Sequence, residues 1–137
     1  MGGLAAALAF TWFGMVIAIS FLETPLKFRA PGITVPLGLG IGRLVFKALN
    51  IAESVLAVLL LAALATGHVD GRGWIPAVLA TVCLLAQMAV LRPALDRRAA
   101  VVITGGEVAP SRLHLGYVAL EVIKVVALVV AGALSLA

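Results

Sequence analysis

Four apolar runs, each long enough to cross a bilayer, constrain this chain more than any other feature in it. They span residues 4–22, 44–66, 74–91 and 113–136. At 1.5 Å of rise per residue, roughly 18 to 24 residues of helix cover the ~30 Å hydrocarbon core. Within lipid every backbone N–H and C=O must be satisfied inside the protein, and a helix does this within one segment. The expected fold is all-α: an integral membrane bundle of four transmembrane helices. The four spans and short connections account for residues 1–137 as one domain.

Composition agrees. The chain is 64% hydrophobic and only 12% charged, whereas soluble domains carry about 25% charged residues. Ten Lys and Arg against six Asp and Glu leave +4. The positive charges sit in two connections beside spans with little aromatic interleaving, which excludes a nucleic-acid surface and reads as a topology signal. No Lys or Arg precedes Lys27, so the first run lacks the basic start of a secretory signal and reads as a retained span.

Connection 23–43 carries Lys27, Arg29 and Arg43, with Lys47 just beyond; connection 92–112 carries Arg92, Arg97, Arg98 and Arg112. The connection between the middle spans has only Arg72. That asymmetry predicts that the two basic loops face the cytoplasm and both termini the outside of a bacterial inner membrane. The same loops suit anionic headgroups. Trp12 and Trp74 then fall towards the outer leaflet, as interfacial anchors would.

The first basic connection contains an apolar stretch broken by prolines and glycines, residues 31–42. It lacks the lysine and the preceding strand of a phosphate loop. It reads as a flexible connector resting on the bilayer, or as a re-entrant segment, and its Gly38-xxx-Gly42 spacing is a helix-packing signal.

The two halves of the chain correspond. Residues 21–30 lie over residues 90–99, and the stretch from Arg43 to Glu53 over that from Arg112 to Glu121, at an offset of 68 or 69 residues. Two hairpins of the same orientation would be parallel repeats. Glu53 and Glu121 are then equivalent positions, ~14–15 Å inside the cytoplasmic boundary at 1.5 Å per residue.

Ionisable groups at that depth are costly and point to function. At 100° per residue, His114, Tyr117, Glu121 and Lys124 fall within about 80° on the fourth helix. Arg43, Lys47, Asn50, Glu53 and Ser54 fall within about 120° on the second. These stripes should face each other, with Glu53 on Lys124 and Asn50 or Lys47 on Glu121. Tyr117 also suits an interfacial anchor, and His114 an interfacial position at the start of the last span.

No catalytic set and no cofactor or metal site is evident. Cys83 stands alone as a small apolar residue. His68 and His114 belong to opposite sides of the membrane, and no Ser-His-Asp set, paired CxxC or HExxH occurs.

The pattern Ser20-Phe-Leu-Glu23-Thr-Pro25-Leu-Lys-Phe28-Arg, then Gly42-Arg43-Leu-Val-Phe46, then Arg112-Leu113-His114 resembles a family of small four-helix membrane proteins. Its bacterial members have largely no assigned activity, and its eukaryotic relatives are linked to platinum-drug resistance. The resemblance implies the four-helix fold and no particular reaction. Glu121 and Lys124 stand where that family would have milder polar residues.

The functional expectation is a small transporter or channel-like protein for a proton, cation or small solute, with a polar path between helices two and four. Four helices enclose little volume, so the path would form in a homo-oligomer or beside a partner subunit. The alternative is a non-transporting accessory or scaffold subunit whose buried charges are structural ion pairs. Catalysis on a lipid-soluble substrate has only the polar cavity in its favour.

Overall fold

The computed structural model describes residues 2–67 and 71–137, so His68 lies outside the described residues. The described chain is all-helical, with four helices long and apolar enough to cross a membrane: α1 (Gly2–Lys27), α2 (Val35–Thr66), α3 (Trp74–Ile103) and α4 (Leu113–Leu136). With 24 residues in the shortest helix, each spans at least about 36 Å at 1.5 Å per residue. Short connections make successive helices antiparallel, and α1 and α3 each pack against both α2 and α4. This is an up-down-up-down bundle.

The outer surface explains the solvent. Ile75, Leu44 and Val58 are 77%, 73% and 67% exposed, among many other large aliphatics. A band of apolar side chains around every helix would be unfavourable in water and is the natural face towards lipid. Inside, alanines at 5, 9, 77, 80 and 131 are buried and let helix backbones approach closely. Gly132 serves the same end, since a Cβ there would lie 2.6 Å from the Phe10 ring. Larger core residues, Val16, Leu60, Leu84 and Leu128 with the indole of Trp12, fill the space between. Trp12 is therefore a core residue, fully buried, and not the interfacial anchor that its place in the first run suggests.

The helices outrun the apolar stretches. Segment 31–42 is no flexible connector, because α2 already begins at Val35. Thr34 accepts from the Leu37 N–H at 3.2 Å, an N-cap, and Pro36 occupies the first turn, where its missing donor costs nothing. The glycines permit a close approach of α1 and α2: a Cβ on Gly38 would fall within the Phe28 ring, and one on Gly42 would meet Lys27 Nζ at 3.1 Å. In the second half, α3 runs on to Ile103 through Ala, Leu and Arg, all good helix formers. Arg92 and Asp96 pair along it at 3.5 Å. The connections expected over 23–43 and 92–112 shrink to 28–34 and 104–112, the second tethered where Arg98 donates to the Ala109 carbonyl.

Two helices widen at corresponding places. Residues Ile17–Glu23 of α1 and Gln87–Leu91 of α3 are π-helical. The N–H of Thr24 reaches back to the Ile19 carbonyl, and that of Arg92 to the Gln87 carbonyl, each an i→i−5 bond. Pro25 and Pro93 follow immediately. A proline ring clashes with the carbonyl four residues earlier and removes a donor, and a wider turn relieves both. The two features stand 68 residues apart, the same offset that relates Glu53 to Glu121. The two hairpins thus share a backbone irregularity as well as a residue pattern.

Candidate functional site

Three helices meet at one ammonium group, and the fourth, α1, reaches it through the carboxylates that the ammonium holds. Lys124 Nζ, on α4, lies 2.6 Å from Glu53 Oε1 on α2 and 2.5 Å from Glu121 Oε1 one turn back on its own helix. Its third donor goes to Gln87 Oε1 on α3 at 2.8 Å. An ammonium has three donors, and all three are used. Glu53 and Lys124 are 0% exposed and Glu121 is 1%.

The carboxylates carry further bonds. Trp12 Nε1 on α1 donates to Glu53 Oε1 at 2.9 Å. Gln87 Nε2 donates to Glu121 Oε1 at 2.9 Å and to the Tyr117 carbonyl at 3.3 Å. Ser20 Oγ donates to Glu121 Oε2 at 2.5 Å. Glu53 Oε2 has no hydrogen-bond partner. Gln87 and Ser20 both come from the π-helical turns, so the widened backbone is what brings α1 and α3 to Glu121. Such turns recur at functional sites in helices.

A vestibule of about 480 Å³ leads to this cluster. Every helix contributes to its wall, including Ser20, Phe46, Arg92 and Tyr117, and Glu121 stands at its inner end. Arg43 and His114, both exposed, mark its mouth. Partway in, the Arg92 guanidinium lies 4.5 Å from the Phe46 ring centre and 4.6 Å from that of Tyr117. The two rings meet edge to face at 5.8 Å, so a cation is held between two aromatic faces. Beyond the triad, towards both chain termini, Trp12, Leu60, Leu84 and Leu128 belong to one apolar core, none more than 2% exposed. Among the described residues the polar interior opens to one end of the bundle and meets this apolar core towards the other.

Among the residues singled out from the sequence, Glu53, Glu121 and Lys124 come together. Asn50 is buried beside them on α2, but its Oδ1 has no partner and it makes no bond to Glu121. Lys47 is exposed and does not pair with Glu121 either; a long cationic side chain near a helix end reaches for headgroups and water. Arg43 and His114 contribute to the mouth rather than to the buried cluster. Ser54 Oγ donates to the Asn50 carbonyl at 2.8 Å and to the Met88 sulfur at 3.4 Å. Tyr117 is 4% exposed and packed against Phe46 and Arg92, not displayed at an interface.

The sequence does not mark Trp12, Ser20, Gln87 or Arg92 as members of the polar cluster. Gln87 had a visible signal, an amide in mid-run, and Arg92 sits at the end of that run. Trp12 and Ser20 had none, since both residue types are common near membrane interfaces. No family model, curated protein or solved structure matches this chain.

Proposed function

We propose that this multi-pass membrane protein is a small transporter whose Glu53–Lys124–Glu121 triad takes up and releases a proton through the vestibule. One observation carries the reading: two fully buried carboxylates share a single ammonium. With all three groups ionised the triad has a formal charge of −1, and an uncompensated charge in a dry interior costs several kcal/mol. One bound proton makes the triad neutral, and Glu53 Oε2, which has no partner, is an open place for it. A metal cation fits less well, because Lys27, Arg43 and Arg92 all line the approach.

The asymmetry of loop charge supports a vestibule mouth on the cytoplasmic side of a bacterial inner membrane, with both termini outside. The sealed end around Trp12 and Leu128 then faces outwards, and transfer across the membrane requires that end to open. A second copy or a partner helix would supply the remaining wall of the path. The resemblance to the small four-helix family fits this architecture and adds no substrate.

Proton flux into proteoliposomes under an imposed potential tests the reading. The wild-type protein is expected to exceed empty vesicles, and Glu53→Gln and Glu121→Gln to fall to the empty-vesicle level while remaining folded. Wild-type flux no greater than that of empty vesicles overturns it.

One observation favours the accessory-subunit reading: Lys124 has no donor to spare and ties all four helices into one clamp. A purely structural clamp predicts loss of stability in the glutamine variants with no flux to lose.

A further inference from the structure

We infer that the vestibule binds a free lipophilic monoanion, a carboxylate on an apolar body of roughly drug-like size. The inference rests on the reading of the vestibule as the entrance to the triad, and it names what shares that entrance with the proton. Its walls are apolar, formed by Phe21, Phe28, Leu39, Phe46, Leu95 and Val118. A cavity of about 480 Å³ falls in the range that encloses one small molecule, not a two-chain lipid.

The polar groups in those walls select the sign of the charge. Lys124 is shared by Glu53 and Glu121, so one proton on the triad leaves Glu121 adding no net charge; Asp96 is matched by Arg92 at 3.5 Å and Lys27 by Glu23 at 3.8 Å. Arg43 at the mouth forms no ion pair among the described residues, so with the triad neutral the site keeps one excess positive charge. Among the described residues the Tyr117 hydroxyl and Arg92 Nε find no acceptor there, while Asp96 Oδ1, which also makes no hydrogen bond, lies 3.5 Å from the Arg92 guanidinium. Unpaired buried donors are rare and costly, and an anionic oxygen satisfies both. The aromatic faces of Phe46 and Tyr117 already hold the Arg92 guanidinium, which leaves no empty cage for an organic cation.

The test is equilibrium binding of radiolabelled decanoate to the full chain in phosphatidylcholine nanodiscs, with decyltrimethylammonium and decanol as competitors. Saturable binding near one per chain is expected, displaced by neither competitor. Arg43→Gln and Tyr117→Phe should each weaken it, Arg43→Gln by about tenfold as for a lost charge-assisted bond. Lys47→Gln, on the same helix and exposed but outside the vestibule, should leave it unchanged. The circular dichroism of each variant checks folding, and Tyr117→Phe serves where Arg43→Gln fails to fold. Three results overturn the proposal: no saturable binding, equal displacement by the cation or the alcohol, or equal losses in Lys47→Gln and Arg43→Gln. Displacement by phosphatidylglycerol in the nanodisc assigns the site to lipid phosphate and also overturns it. Decanoate binding without proton flux leaves this inference standing and removes the transport reading; flux without binding does the reverse.

Discussion

Trp12 and Lys124 converge on the same oxygen of Glu53, the indole at 2.9 Å and the ammonium at 2.6 Å, while the other oxygen of that carboxylate has no partner. One side of Glu53 is held from two helices and the other is open. A group held in this way keeps its position while its bare oxygen gains or loses a ligand, which suits a site that must be occupied and vacated.

Replacing Trp12 with Phe removes that indole bond and little volume. Bonds to charged groups contribute about 1.5–3 kcal/mol, so Trp12→Phe should lower unfolding stability in detergent by about that amount. In a Trp74→Phe background, the remaining Trp12 should emit at short wavelength and resist quenching by iodide. Red-shifted, readily quenched emission would contradict its burial.

Lys124→Met should be the most damaging single change in the triad. It leaves two buried carboxylates facing each other without a counterion, and breaking a buried pair costs about 3–5 kcal/mol. Changing Glu53, Glu121 and Lys124 together to Leu should recover most of that loss, because an apolar replacement leaves no charge to compensate. Thermal or denaturant unfolding of the purified protein compares the two. A triple variant no more stable than Lys124→Met would show that packing, not charge, sets the cost.

Gly38 and Gly40 should respond in opposite directions to alanine. Nothing lies within 4 Å of a Cβ on Gly40, so Gly40→Ala should stabilise α2 by about 0.5–1 kcal/mol. At Gly38 the new methyl enters the Phe28 ring, so Gly38→Ala should destabilise, and Phe28→Ala in the same chain should relieve it. Melting temperatures of the single and double variants decide this.

Access to the interior should be one-sided. With the buried Cys83 replaced by Ala, a cysteine at Ser20 should react with small water-soluble thiol reagents from the side of the basic connections. A cysteine at Leu128, 0% exposed, should react from neither side. Labelling of inside-out and right-side-out vesicles reads both the opening and the orientation, and labelling at Leu128 would mean that the far end is not sealed.

The sequence carried the four helices because apolar run length is a one-dimensional quantity that lipid thickness fixes. It misplaced where the helices stop. Hydropathy reports which residues tolerate lipid, whereas Val35–Gly42 and Arg92–Ile103 are helical through capping, propensity and contact with α1 or with each other. The triad was legible for a similar reason: Glu53, Glu121 and Lys124 are conspicuous in apolar surroundings, and helical spacing aligned them. Helical spacing assigns Asn50 or Lys47 to Glu121 because a helical wheel fixes direction but not reach. Its actual partners, Ser20 and Gln87, sit in turns that depart from the 100° step on which such a wheel depends. The proline that follows each turn was in plain view, yet its effect on residues upstream is a three-dimensional one.

Those π-helical turns carry a consequence for how this bundle tolerates change. Each holds one residue more than an α-helical turn needs, as an insertion absorbed without breaking the helix. Deleting a single residue from 17–23 would return α1 to regular α-helix and leave the helix on either side in nearly its present orientation, because the wide turn already absorbs that residue's step of about 100°. A residue added or removed elsewhere in a span has no such outlet and turns everything beyond it by about 100°. What a deletion within 17–23 removes is the wide turn that carries Ser20 to Glu121, and the matching turn in α3 carries Gln87 to the same carboxylate.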